Sequence, residues 1–417
     1  MGAITSLTRI WLTRSIRPFT FHREFDESLS YETAQNLGLY VHIPFCRRIC
    51  SFCPYCKTVY DEALCSGYID RLIQEIHLVG SKYPGKKEVT SLYFGGGTPA
   101  LAAGRLGEVI EALEEHFTIT QGIGVELHPE NVTVPVLNTL KAAGVSKLSI
   151  GIQSFQSKHQ HTLGRAPVST AALHAALEAV PFETVSMDLI FALPGQTFED
   201  LKADLETAFS SGANHAAIYP FIDFSFTNSQ VPAMGKREKR RLLDQVTTWC
   251  LEQGYVRDSI WTFAKDHGAR YSSMTRDNFL GFGCSATTLL PDQFKINTFS
   301  VEEYCKRIDD GCLPTALTLR FTKRQRMIYY LFWTAYTTKV RSADFASFFG
   351  VPLEKMYGPE LKLAKRLGFL SEENGVYEMT LKGAFYYHYY ENFYTLAYID
   401  KMWGILRKEA FPARISL

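Results

Sequence analysis

The chain has 417 residues, 46% of them hydrophobic, and a formal net charge of +1. That length allows one large domain plus a smaller one, and near-neutrality gives no global electrostatic case for nucleic acid or an anionic membrane as partner. No apolar run approaches the ~20 residues of a membrane span, and nine cysteines, four of them clustered, suit a reducing cytoplasm and a bound metal better than a disulfide scaffold.

Residues 1–36 read as an N-terminal extension. Its opening, MGAITSLTRIWLTRSIRPFTFHR, carries four arginines and no acid before Glu24. The composition is that of a transit peptide, but an amphipathic helix lying over the main domain is the preferred reading. Met-Gly-x-x-x-Ser fits a myristoylation signal, a pattern short enough to arise by chance. From Leu37 strand and helix patterns alternate. LGLYVHIP reads as a buried strand, and the next helix carries Tyr68, Leu72, Ile76 and Val79 on one face. VTSLYFGG, IGVELHP, VSKLSIGIQ, TVSMDLIFALPG and ANHAAIYPFI read as further strands, each separated from the next by a helix. Six strand–helix units in alternation imply parallel strands with right-handed crossovers. A doubly wound sheet and a TIM-like barrel both fit that order. Polar residues at the C-terminal ends of successive strands favour a barrel, which gathers those ends at one mouth.

The expected architecture is therefore α/β. A partial TIM barrel, (β/α)6, spans 37–290, and a mostly helical, winged-helix-like cap domain spans 291–417. A loop with Pro232 breaks the rhythm near Phe224 to Lys236, a helix follows, and NFLGFGCSATTLL returns toward the core. The tail reads as helices followed by a two-strand wing. Its aromatics around Tyr386–Tyr390 are expected in the core. Winged helices can bind nucleic acid, but the tail's basic residues alternate with acids, so a cap that shapes the substrate pocket is expected instead. Its deletion is expected to abolish turnover and leave the metal site intact.

The four clustered cysteines are Cys46-x3-Cys50-x2-Cys53-x2-Cys56. A structural zinc site normally takes a second cysteine pair from elsewhere, and Cys65, Cys250, Cys284, Cys305 and Cys312 are scattered. An iron–sulfur cluster suits a single loop better. Three ligands on a four-iron cube leave one iron open to a small molecule.

Tyr40-Val-His-Ile-Pro-Phe-Cys46-x3-Cys50-x-Phe52-Cys53 resembles the radical S-adenosylmethionine (SAM) superfamily, and more narrowly its oxygen-independent coproporphyrinogen III oxidase-like branch, from about Gly38 to Gly283. The resemblance implies a [4Fe-4S] cluster on Cys46, Cys50 and Cys53, whose open iron holds SAM for cleavage to a 5′-deoxyadenosyl radical. Tyr40 would sit against the cluster. Gly95-Gly96-Gly97-Thr98-Pro99 matches the stretch where bare backbone approaches the SAM amine, and Glu126 would contact the first SAM. Gln153, Arg165 and Asp188 would serve a second SAM, with Phe52, Gly97 and Thr98 at positions beside it. Taken singly, such residues are ordinary turn glycines, helix caps and solvated loop residues; their joint order and spacing carries the resemblance.

Within the branch, Cys53-Pro54-Tyr55 replaces the oxidase's Cys-x-Cys. The heme-chaperone relatives carry an HNxxYW stretch where this chain has Ala269 to Met274, with neither the His nor the Trp, which argues against heme carriage. FCPYCK resembles the class C radical SAM methylases and cyclopropanases. That likeness implies methylation or cyclopropanation of an sp2 carbon in an aromatic or alkene-containing small molecule, with two SAM molecules consumed. The alternative is a porphyrin-acting oxidase or heme-degrading enzyme. Cys56 is read as a non-ligand thiol near the cluster, and His215 and Asp223 are candidate general bases. A flavodoxin, ferredoxin or other reductase is the expected electron donor, and a cytoplasmic monomer the expected form.

Overall fold

The computed structural model describes residues 3–25, 29–227, 234–266 and 277–417. Met1 and Gly2, Pro232 and the Ala269 to Met274 stretch lie outside them. The first elements are a helix α1 (Ala3–Thr13) and a short strand β1 (Thr20–His22). The alternating series follows: β2 (Leu37–Ile43), α2 (Glu62–Gly80), β3 (Leu92–Gly96), α3 (Ala103–His116), β4 (Ile123–Leu127), α4 (Val134–Ala142), β5 (Lys147–Gln153), α5 (Thr170–Ala179), β6 (Thr184–Phe191), α6 (Phe198–Ser210) and β7 (His215–Pro220). Strands β2 to β7 pair in that order, every pair parallel. These strands are buried almost throughout, as expected when helices cover one face and a core fills the other. Several of these helices start where a side chain satisfies a free N–H group. Asp61 caps α2 by accepting from the Leu64 N–H, and Thr197 with Asp200 forms a reciprocal capping box on α6.

The chain continues through α7 (Lys236–Glu252), β8 (Val256–Ser259) and β9 (Thr262–Ala264), then β10 (Asn278–Phe282), β11 (Thr287–Leu289), β12 (Gln293–Asn297), α8 (Val301–Asp309) and β13 (Thr315–Arg320). Strand β10 adds to β2 in parallel, and β11, β12 and β13 extend the sheet antiparallel beyond it. The sheet therefore runs on past Leu290 without interruption. Its last members are β1 and β17 (Arg414–Ser416), paired to each other and, through β1, to β13. Glu75 on α2 fastens the helix to this return: it accepts from the Gly283 N–H (2.7 Å), the Tyr304 hydroxyl (2.7 Å) and Asn297 Nδ2 (3.2 Å).

The C-terminal helical domain contains α9 (Lys323–Tyr336), β14 (Lys339–Arg341), α10 (Ser342–Phe349), α11 (Leu353–Arg366), β15 (Leu370–Glu373), β16 (Val376–Met379), α12 (Leu381–Tyr394) and α13 (Asp400–Leu406). The wing has three strands rather than two, in the order β14-β16-β15. Lys339–Arg341 alternates exposed, half-buried, exposed, but three residues are too few for a period-2 signal to register in the sequence. Helix α1 packs on α9 and α12 rather than over the barrel. No described helix is long and apolar enough to cross a membrane.

Candidate functional site: a thiol loop opening on a large cavity

A cavity of about 1010 Å³ lies between the C-terminal ends of β3 to β7 and the helices α9, α12 and α13. The C-terminal ends of parallel strands converge on one space only if the sheet curves, so the cavity is the barrel's mouth. The loop after β2 forms its floor. Cys46, Cys50 and Cys53 all reach the cavity half-buried, and no other cysteine lines it. Cys56 turns away and is buried, its S–H donating to the Phe299 carbonyl (3.2 Å).

The glycine stretch after β3 is required by close approach. A Cβ on Gly97 would lie 2.6 Å from the Phe45 carbonyl oxygen, and Gly96 holds φ +119° under the His42 ring. The Gly97 and Thr98 N–H groups donate to the carbonyls of Ile43 (2.8 Å) and Phe45 (2.7 Å), clamping the entry to the thiol loop. Thr98 Oγ1 lies 3.9 Å from Cys46 Sγ.

Glu126, at the end of β4, accepts from the Tyr93 hydroxyl (3.0 Å) and the Gly96 N–H (3.1 Å). It opens on the cavity but lies far from bulk water, and burial, reinforced by Asp188, pushes its carboxyl up to about 7. Burial likewise pushes Asp188 up to about 6, although Ser149 donates to it at 2.7 Å. Gln153 stands at φ +74°, where the β5–β6 register shifts. Arg165 donates to the Gly151 carbonyl at 2.5 Å and approaches Cys50 Sγ at 3.5 Å. Phe52 lines the cavity and packs on Leu163, Ile190, Leu193 and Phe221.

The structure thus brings together Cys46, Cys50, Cys53, Phe52, Gly96, Gly97, Thr98, Glu126, Gln153, Arg165 and Asp188. It leaves three expected site residues out. Tyr40 is not among the lining residues; its hydroxyl bonds to His42 Nδ1 (3.1 Å) and its ring stacks on Tyr93. His215 begins β7, the opposite end of a strand whose C-terminal end forms the mouth, and it is fully buried against Ser186 (2.9 Å). Asp223 is exposed, on a segment where its neighbours Ile222 and Phe224 face the cavity instead. Neither lines the cavity over the thiols.

A [4Fe-4S] cluster and SAM, the cofactors the fold implies, suit this donor set. A single tetrahedral ion with ligands at ~2.3 Å would draw its sulfurs to about 4 Å of one another. The three loop thiols do not form such a group, whereas a multi-iron cluster spreads its ligands over separate irons. Burial raises the Cys46 thiol to about 11 and the Cys53 thiol above its ordinary value, so iron must displace protons there. Arg165 and Lys57, whose ammonium donates to the Cys53 carbonyl, supply positive charge beside the sulfurs.

Sequence reasoning missed much of the opposite wall. Tyr387, Tyr390 and Tyr394, spaced along one face of α12, line the cavity, Tyr387 and Tyr394 packing against the core as well, and Phe332 from α9 stacks on Tyr387 (5.2 Å). The three- and four-residue spacing was visible, but what faces it is set by tertiary packing. Arg47 and Arg48, between two cluster cysteines, and Arg9 of α1 also line the cavity. Helix α13 and the residue that caps its C-terminus touch the thiol loop, through Trp403 on Tyr55 (6.0 Å) and Arg407 on the Pro54 carbonyl. Removing residues 291–417 would take away these contacts and β12, β13 and β17, so survival of the metal site without the cap is no longer expected.

Residues 40–208 match the family model of the radical SAM superfamily. The heme chaperone HemW of Bacillus subtilis is 25% identical over 363 residues, covering 82% of this chain and 95% of its own. An oxygen-independent coproporphyrinogen III oxidase of Cereibacter sphaeroides is 28% identical over 319 residues, 68% of this chain and 69% of its own. The solved structure of the coproporphyrinogen III oxidase HemN from Escherichia coli superposes with a TM-score of 0.75 at 22% identity, covering 88% and 93% of the two chains, which establishes the fold. The match to the radical SAM superfamily model is thus confined to residues 40–208, and the relatives are of the heme chaperone and coproporphyrinogen oxidase kind. These relatives overturn the methylase and cyclopropanase expectation. That reading rested on the short FCPYCK stretch, whereas the likeness to HemW and the oxidases extends over two thirds or more of the chain.

Proposed function

We propose that this radical SAM chain is an enzyme acting on a tetrapyrrole, within the porphyrin-directed chemistry of its oxidase-like relatives. The observation that carries the reading is the cavity: one space with the thiol loop as floor and flat aromatic rings as the facing wall. A planar macrocycle gains stacking on such rings. Arg47, Arg48, Lys57 and Arg165 around the loop offer charge-assisted bonds to carboxylate side arms.

Cys46, Cys50 and Cys53 would hold the cluster, and cluster with SAM supplies a carbon radical able to remove a hydrogen atom from an unactivated carbon. The chain's own residues bind and orient. Glu126, once ionised, faces a sulfonium or ribose. The Gly96–Thr98 backbone lines the cavity beside the thiol loop, where the ligand's amino and carboxylate end would lie. Arg165 and Asp188 stand farther along the barrel rim to hold a second carboxylate and hydroxyl. These last groups belong to the substrate in this reading; the second SAM expected at Gln153, Arg165 and Asp188 has no support from the relatives' likeness, and equilibrium dialysis giving two SAM per cluster would restore it. A one-electron donor of the flavodoxin or ferredoxin kind fits the chemistry, and the chain is expected to work as a monomer.

The test is anaerobic reconstitution with iron and sulfide, followed by SAM, dithionite and either coproporphyrinogen III or heme. Tetrapyrrole-dependent formation of 5′-deoxyadenosine with a matching mass change in the tetrapyrrole is expected. Stoichiometric heme binding without turnover would instead make the chain a carrier. SAM cleavage indifferent to any tetrapyrrole, with no tetrapyrrole bound, would end the reading.

A further inference from the structure

Behind the thiol loop lies a second group of metal-ligating side chains that the cluster does not use. His42 ends β2, Cys56 closes the loop and Cys284 follows β10. One ligand atom from each lies within 4.8 Å of the other two, and all three residues are buried. We propose that His42, Cys56 and Cys284 form a mononuclear site for a thiophilic divalent ion, zinc above all, that pins the end of the cluster loop to the sheet.

The site is built by close packing. The Tyr68 hydroxyl donates to the His42 carbonyl (2.8 Å) and accepts from the Cys284 N–H (2.9 Å), fixing two ligands relative to each other. Gly283, at φ +96°, lets these strands meet, because a Cβ there would lie 2.5 Å from both the His42 carbonyl oxygen and the Tyr68 hydroxyl. Gly96 lies so near the His42 ring that a Cβ would meet it at 2.8 Å.

The donor chemistry selects the ion. Two sulfurs and an imidazole exclude magnesium and calcium and suit zinc. Two thiolates neutralise a divalent charge, so the loaded centre carries no net charge into the interior, where an unpaired ion is costly. Loading releases the two thiol protons, and the Cys56 S–H bond to Phe299 is given up with them. His42 would enter through Nε2, which now bonds to the Cys56 carbonyl at 2.9 Å. Nδ1–H would then donate to the Tyr40 hydroxyl, now 3.1 Å away, as the orienting partner that metal-bound histidines usually have. The sulfurs must close to about 4 Å, a small adjustment for side chains already in one pocket.

The cluster cysteines could themselves capture zinc, so the test begins with the full chain carrying Cys46→Ala, Cys50→Ala and Cys53→Ala. Cobalt(II) titrated into it is expected to bind at one per chain with a thiolate-to-metal charge-transfer band. Adding Cys284→Ala or Cys56→Ser should abolish that band, while His42→Ala should keep it and weaken binding at least tenfold. Wild-type protein with its cluster loaded should also contain one zinc per chain by elemental mass spectrometry, which covers the case of a triple variant that does not fold. Cobalt binding that survives Cys284→Ala and disappears with His116→Ala would move the ion to the half-exposed His77–His116 pair and overturn the proposal. A metal-free protein with a Cys56–Cys284 disulfide in a non-reducing digest would also overturn it.

Discussion

On the barrel side of the cavity, position is fixed by the main chain. Gly96 and Gly97 admit no side chain, the Gly97 and Thr98 N–H groups are committed, and Glu126 is held by a backbone N–H and a tyrosine. On the facing side, position is fixed by rings. Phe332 meets Tyr394 at 4.9 Å and stacks on Tyr387, and Tyr394 stacks on Tyr398 at 5.1 Å. Hydrogen-bonded backbone tolerates little displacement, which suits a reactive cofactor. Packed rings can be exchanged for others of similar size at modest cost, which suits a surface that chooses among substrates. One wall should therefore govern whether the radical forms and the other what it meets.

The sharpest break with that division would come from the thiol loop. Cys46→Ala, Cys50→Ala or Cys53→Ala is each expected to remove the cluster chromophore and all SAM cleavage, read by iron and sulfide content and by 5′-deoxyadenosine yield. Arg165→Ala should weaken the carboxylate ligand it holds by about 10- to 100-fold, the equivalent of one charged hydrogen bond. If SAM affinity falls, Arg165 serves the cofactor; if only tetrapyrrole affinity falls, it serves the substrate.

Glu126 sharpens the comparison through pH. Its carboxyl is raised to about 7, so below that it is protonated and cannot meet a positive sulfonium. SAM affinity should rise about tenfold from pH 6 to pH 8, following the ionised fraction, and Glu126→Gln should flatten the profile. On the ring wall, Phe332→Ala should weaken tetrapyrrole binding by up to about tenfold, the value of an aromatic contact, with uncoupled SAM cleavage unchanged. Loss of SAM cleavage in Phe332→Ala would erase the division.

The smallest expected effect concerns the scaffold. Burial raises Glu75 to about 7. The folded state thus holds this proton more tightly than the unfolded chain. The stabilisation is complete below about pH 4.5 and is lost as pH rises through about 7. The apo protein should melt lower at pH 8 than at pH 5, and Glu75→Gln should remove part of that slope.

What the sequence disclosed follows the same division. Strand order, the thiol loop, the glycine stretch and Glu126 were legible because each is a local pattern tied to a strand end. Tyr387 and Tyr390 were expected in the core, and their second role as cavity wall was not legible, since one helix face reads the same whether it meets a core or a hollow. His215 was misjudged because a strand's beginning and end face opposite ends of a barrel. Cys284 looked isolated because its approach to Cys56 depends on β10 joining β2 from far along the chain.

The edge formed by β1 and β17 bears on how the protein is made. Residues 20–22 wait for residues 414–416 before that seam can close, a pairing of very large sequence separation that slows folding. During synthesis the thiol loop emerges early, while the helices that will roof it have not yet left the ribosome. Iron–sulfur delivery therefore has an interval in which the loop is accessible from the side later covered by Trp403 and Arg407, and assembly machinery arriving after completion would meet a narrower entrance.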